Sequence, residues 1–372
     1  MAGLYIHIPF CKKKCFYCDF YSCRYETTRA KEYLEILQKQ LKDLKNKGYK
    51  FNTVYIGGGT PSVLEYDLIS NLLSCCEYFL AQSKENTLEA NPESLNKKKV
   101  RLLKKYGINR LSIGIQSFSD KNLQTLGRIH TSRQAVESIR ISQETGFQNI
   151  NIDLIFGIPG QTLLSWKKDL EIAVRQNINH ISCYSLTYEN KTVLYRKRAR
   201  KEIIPVSHTE EYKMYRECIK FLQNNNFIHY EISNFAKKGF ECLHNVNYWR
   251  FGEYTGLGPS ASSFIKNTRY KNVASINQYI LLARNGKNTS WIEEKLSPFK
   301  MFRQELILRL RLLQEETDFE TISKKYSYWN KDLLRNELYL LEKKGYIRFR
   351  NNKVKLTSKG IFFFDEVAST II

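Results

Sequence analysis

Residues Tyr5–Phe20 read YIHIPFCKKKCFYCDF. Tyr5, Ile6, His7 and Ile8 form a short strand-like run that stops at Pro9. The loop beyond it carries Cys11, Cys15 and Cys18 in a C-x3-C-x2-C spacing. Thiolates packed this closely are a ligand set for a soft metal centre. Their number matters. A closed structural zinc site takes four ligands and would have to recruit a residue such as His7, which points along the strand. A three-cysteine set leaves one iron of a [4Fe–4S] cluster open to another ligand. A disulfide framework is disfavoured, because nine cysteines are an odd number and no secretory signal pattern is present. Cys23, Cys75, Cys76, Cys183, Cys218 and Cys242 sit singly or in helical and strand patterns, as small buried apolar residues do. Free thiols fit a reducing cytoplasm.

The 372 residues are enough for about two domains. No apolar run reaches the length of a membrane-spanning helix. The net charge of +22 raises a nucleic-acid or anionic-membrane partner. Most of it is lysine on helix faces that also carry glutamate, the pattern of a solvated surface. A basic cleft also suits anionic ligands.

Downstream, strands and helices alternate. A helical pattern over Thr28–Lys47 precedes a buried strand, Phe51–Ile56. That strand runs into Gly57-Gly58-Gly59-Thr60-Pro61-Ser62 and a helix over Tyr66–Leu80. A run of glycines between strand and helix lets backbone N–H groups approach a ligand. Strands follow over Thr87–Asn91, Arg110–Gln116, Asn149–Phe156 and His180–Leu186, each preceded by a helical pattern. Six such beats predict an α/β fold whose parallel sheet curls into an open barrel. Ligand-binding side chains of such barrels gather at the C-terminal strand ends. This selects Glu89, Gln116, Asp153 and, just beyond, Arg128. Asp153 stands in an otherwise apolar strand, where an acid is costly unless paired; a structural ion pair is the alternative.

Val206–Asn226 reads as a helix. Phe227–Phe264 is rich in aromatics, Gly and Asn and reads as neither helix nor strand. It contains Cys242-Leu243-His244-Asn245-Val246-Asn247-Tyr248-Trp249. His244 among aromatics suits either an axial iron ligand in a flat ligand's pocket or a satisfied buried imidazole in a capping segment. The division expected is 1–266 for barrel and cap, 267–296 for a connector, and 297–372 for a smaller C-terminal α+β domain. In the last, three helices and a hairpin around Asn351-Asn352 read as winged-helix-like. Its basic wing (Arg348, Arg350, Lys353, Lys355) comes without a base-reading motif, so no nucleic-acid partner is expected.

The C-x3-C-x2-C loop, the surrounding YIHIPFC and YCDF, and the GGGTP loop resemble the radical S-adenosylmethionine (SAM) family. Within it, the chain resembles the branch that holds the oxygen-independent coproporphyrinogen III oxidases and the HemW-type heme chaperones. The resemblance implies a partial (β/α)6 barrel and a [4Fe–4S] cluster on Cys11, Cys15 and Cys18. The open iron chelates the methionine part of SAM, and an electron from the cluster cleaves SAM to a 5′-deoxyadenosyl radical. It implies SAM contacts from Tyr5, Tyr17, Gly58, Gly59, Thr60, Glu89, Gln116, Arg128 and Asp153. The oxidases bind two SAM molecules, so a match at these positions does not fix the number here. HNxxYW resembles a motif of the chaperone branch and implies heme bound near His244. The oxidase signature continues to a fourth cysteine where this chain has Phe20, and the oxidases carry an N-terminal extension ahead of the first strand. The expectation is therefore a cytoplasmic heme chaperone that binds cluster, SAM and heme and passes heme to acceptor proteins. The alternative is the oxidase, which decarboxylates propionate chains. SAM cleavage in turnover is left undecided. A cluster-dependent homodimer and a weak peripheral membrane contact complete the expected partners.

Overall fold

The computed structural model describes residues 2–326 and 331–372. Six strands run parallel and adjacent in chain order: β1 (Ala2–Ile8), β2 (Thr53–Gly58), β3 (Glu85–Ala90), β4 (Arg110–Gln116), β5 (Asn149–Phe156) and β6 (His180–Ser185). Successive side chains point to opposite sheet faces, and the sequence sorts them accordingly. In β4, Leu111, Ile113 and Ile115 join the apolar core with residues of the surrounding helices. Arg110, Ser112, Gly114 and Gln116 face the other way, onto a central cavity. The helices Thr27–Asn46, Tyr66–Leu80, Ser132–Glu144 and Leu163–Arg175 cover the outer face. Both faces of these strands are thus buried, as parallel sheets require.

Phe227–Phe264 proves more regular than its composition suggests. It forms an antiparallel hairpin on β6 from β7 (Ile228–Glu231) and β8 (Asn234–Ala236), then a helix over Leu243–Trp249. β9 (Glu253–Leu257) follows and lies parallel to β1 on the opposite flank. Residues 267–296, expected as a connector, are also part of the sheet. β10 (Ser262–Ile265), β11 (Thr268–Asn272) and β12 (Ser290–Lys295) extend it as an antiparallel meander. The strands read TRYKN and SWIEEK, polar because they lie toward a solvent-facing edge, so no apolar alternation announces them. The order is β12-β11-β10-β9-β1-β2-β3-β4-β5-β6-β8-β7, with β12 and β7 at separate edges, so the barrel stays open. No helix among the described residues is long and apolar enough to cross a membrane.

Residues 297–372 have their own core, built on Phe302, Leu306, Phe319, Leu338, Val354 and Val367. Asn351 and Asn352 turn the hairpin Ile347–Arg350/Lys353–Leu356 with φ of +52° and +61°, the geometry of a type I′ turn. The short segment after the helix Pro298–Leu310 straps this unit to the β7–β8 hairpin. Leu313 N–H donates to Tyr230 O at 2.9 Å, and Gln314 Nε2 donates to His229 O at 2.9 Å. Arg311 lies 3.2 Å from the Glu231 carboxylate and stacks 4.1 Å over the Trp249 ring. Glu231 is fully buried, so removing its partner strands a buried charge. Arg311→Ala is expected to lower stability by about 3 kcal/mol, read as a reduced urea midpoint, and adding Glu231→Gln should recover part of the loss.

Candidate cluster and cofactor cavity

The site starts where β1 ends. The Cys23 N–H donates to Pro9 O at 2.7 Å and the Tyr25 N–H to Cys11 O at 2.9 Å, closing the cysteine loop on itself. The Phe16 N–H reaches Leu126 O and the Leu194 N–H reaches Phe16 O, both at 2.9 Å. The glycine run lies alongside, and each glycine has its own reason to lack a side chain. A Cβ on Gly57 would stand 2.8 Å from Glu89 Cδ. On Gly58, at φ +113°, it would meet the His7 ring at 2.5 Å. On Gly59 it would meet Phe10 O at 2.8 Å.

Cys11, Cys15 and Cys18 share the wall of a cavity of about 580 Å³, within the usual range for small-molecule sites. None is in a disulfide. Among the described residues no three Cys, His, Asp or Glu side chains converge tightly enough to chelate a single ion. That the three thiols line one cavity suits a cluster whose cysteines sit on separate irons. Two receive hydrogen bonds: Thr60 Oγ1 donates to Cys11 Sγ at 3.6 Å, and Arg128 Nη1 donates to Cys15 Sγ at 3.4 Å. Burial raises the Cys11 thiol pKa and pushes Cys18 up to about 11. Metal ligation, which needs the thiolate, must therefore release protons.

Of the SAM contacts implied by resemblance, Tyr17, Gly58, Gly59, Thr60, Glu89, Gln116, Arg128 and Asp153 all line this cavity. Glu89 is oriented by Tyr55 OH, which donates at 2.7 Å, and by the Gly58 N–H at 2.9 Å. Burial pushes its pKa up to about 7. Burial also raises Asp153, against a hydrogen bond from Asn151 Nδ2 at 2.9 Å. Arg128 Nη2 donates to Asn91 Oδ1 at 2.8 Å and Gly114 O at 2.6 Å, which fixes the guanidinium beside Cys15. Gln116 takes φ +69° at an irregularity between β4 and β5, a costly conformation for a non-glycine residue.

Tyr5 and His244 are not brought to this wall. The Tyr5 hydroxyl is hydrogen-bonded to His7 Nδ1 at 3.0 Å, and His7 Nε2 to Tyr21 O at 3.1 Å. Burial lowers the His7 pKa to about 4, so the ring is neutral. His244 is 1% exposed; its Nδ1 pairs with Thr53 Oγ1 at 2.8 Å and its Nε2 with Tyr248 OH at 2.7 Å. Burial lowers its pKa to about 3. Its neighbour Asn245 is the residue of that helix that lines the cavity. The wall also holds Asn91, Arg110, Ser112, Asn151, Ser182 and Tyr184, which the sequence reading passed over. The available signal was period two: Ser112 precedes Gln116 by four residues, and Asn151 precedes Asp153 by two.

Residues 5–173 match the Radical SAM superfamily model. The heme chaperone HemW of Bacillus subtilis (strain 168) is 34% identical over 99% of this chain and 98% of its own. That of Lactococcus lactis is 36% identical over 82% of this chain and 80% of its own. That of Escherichia coli (strain K12) is 32% identical over 98% and 96%. The solved structure of coproporphyrinogen III oxidase (HemN) from Escherichia coli superposes with a TM-score of 0.86, covering 100% of this chain and 89% of that one at 23% identity, a likeness of fold. The chain belongs to the HemW family of the radical SAM superfamily, and that membership implies a [4Fe–4S] cluster and SAM.

Proposed function

We propose that the protein is a cytoplasmic heme chaperone that binds heme and passes it to acceptor proteins, with the cluster held by Cys11, Cys15 and Cys18. The observation that carries this reading is full-length similarity to relatives named heme chaperones, joined to a single cavity where these cysteines meet the polar strand ends. Phe20, in the position of the oxidase signature's fourth cysteine, favours it over the oxidase; its ring is 72% exposed. Residues 297–372 are taken as a separate domain, supported by their own apolar core.

The bound cluster supplies an open iron position and an electron. The chain's residues do the rest. Thr60 donates to Cys11 Sγ and favours its thiolate form, and Arg128 donates to Cys15 Sγ. Glu89 offers a carboxylate to the SAM ammonium, fixed by Tyr55 and the Gly58 N–H. Arg128, Gln116 and Asp153 orient the remaining polar groups of SAM, with Gly58 and Gly59 allowing close backbone approach. Tyr17 closes the cavity beside the cysteines. Tyr5 acts indirectly, through its bond to His7 against the Gly58 backbone. For His244 to hold the heme iron, the ring would have to release at least one of its two hydrogen bonds, to Thr53 or to Tyr248.

An anaerobic absorbance titration of the cluster-loaded protein with heme is expected to give a saturable, equimolar Soret shift. No binding would overturn the chaperone reading. In the same titration a displaced band in His244→Ala assigns the axial ligand to that residue, and an unchanged band makes it a structural pin. Cys11→Ser is expected to lose the four-iron spectrum; retention of a full cluster would refute the ligand assignment. SAM affinity is expected to climb as pH rises through about 7, where Glu89 ionises. Glu89→Gln should bind SAM more weakly and remove that step.

A further inference from the structure

Arg110 opens β4, at the other end of the strand from Gln116, and its side chain reaches the floor of the cavity. The residue is 2% exposed. Of the residues that line the cavity, it is the one with a buried polar side-chain atom, Nε, that lacks a hydrogen-bond partner among the described residues. It forms no ion pair with a described residue either. Glu85 and the Cys242 thiol act on it only electrostatically, without a contact pair, and a buried cation is normally paired and hydrogen-bonded.

The surrounding polar groups are already committed to one another. Asn151 Nδ2 donates to Ser112 Oγ at 2.8 Å, and Ser182 Oγ donates to Asn151 Oδ1 at 3.1 Å. Tyr55 OH is engaged by Glu89. Glu85, the acid below, takes the N–H groups of Leu243 and His244, each at 2.9 Å, and the Cys242 thiol. Its oxygens cap the helix Leu243–Trp249. The guanidinium therefore faces a cavity with an unmet capacity for a planar anion, which its donor fork fits well.

We infer that Arg110 forms a carboxylate-anchoring site on the cavity floor, separate from the cysteine loop, for a carboxylate-bearing organic ligand. Two candidate ligands carry that chemistry: heme, through a propionate, and a second SAM molecule, whose methionine carboxylate the open iron does not take. The heme source rests on the chaperone reading above; the SAM source does not.

The test measures affinities of the cluster-loaded wild type and Arg110→Gln for two ligand pairs. One is heme against heme dimethyl ester; the other is SAM against decarboxylated SAM. Arg110→Gln should weaken one acid by at least about thirtyfold and leave its carboxylate-free counterpart unchanged, and the affected pair identifies the source. Equal effects on both members of each pair, or no effect on any, would overturn the site. If wild type fails to bind heme, the chaperone reading falls and the SAM pair decides the role of Arg110. Should Arg110→Gln fail to fold, Arg110→Lys keeps the charge without the fork. It is then expected to weaken the acid severalfold and spare the ester or decarboxylated form; equal weakening of both refutes the assignment.

Discussion

The cavity depends on how closely two backbones approach at the ends of β1 and β2. The strands pair as far as Ile8 and Gly58, and the contact continues beyond them. The Gly59 N–H donates to Ile8 O, and the Thr60 N–H donates to Phe10 O, both at 2.8 Å. This places Thr60 beside Cys11 and the Gly58 N–H beside Glu89. The cysteine loop and the glycine run are thus set against each other by main-chain hydrogen bonds, and the β3 acid is tied to that frame through its carboxylate. A side chain on Gly59 would force these backbones apart, so one local constraint governs both the cysteine loop and the first polar strand end.

Charge distribution inside the cavity follows from the same enclosure. Away from water, Glu89 and Asp153 resist ionisation, while the Arg128 and Arg110 guanidiniums stay charged. Arg128 is held by Asn91, Gly114 and Cys15, and it is a fixed positive point next to the cysteine sulfurs. Arg110 has no comparable set of acceptors. The two cations thus occupy different states: Arg128, bonded to Gly114 of β4, completes the wall near the cysteines, and Arg110, at the start of that strand, has an Nε unpartnered among the described residues.

The legible part of the chain was the part with the least ambiguous physics. β4 and β5 appear at the boundaries read from sequence, because they are buried on both faces and their apolar runs have sharp ends. The cysteine loop was legible because its three cysteines fall in one short stretch. Residues 267–296 were not, since a meander near a sheet edge mixes charged and apolar side chains without a clear period. Tyr5 and His244 show a different limit. A motif gives residue type and spacing, but whether a ring faces the cavity depends on which strand it packs against. His7 and Thr53 lie on other strands or strand positions and claim these rings. The polar floor of Ser112, Asn151 and Ser182 is hidden for a related reason: small polar residues in buried strands look like weak core positions until several strands bring them together.

The helix Leu243–Trp249 joins three parts of the molecule. Glu85 at the start of β3 caps its first turn, and His244 locks onto Thr53 at the start of β2. Trp249 at its other end receives the Arg311 guanidinium from the C-terminal unit. Its HNVNYW sequence is therefore explained in large part by packing: His244 and Tyr248 pair with each other, and Asn247 Nδ2 holds Glu253 O at 3.0 Å. A ligand that engages this helix from the cavity side meets Asn245 first. To reach His244 it must compete with two buried hydrogen bonds. Contiguous contacts thereby join this helix to the barrel floor and to the C-terminal unit.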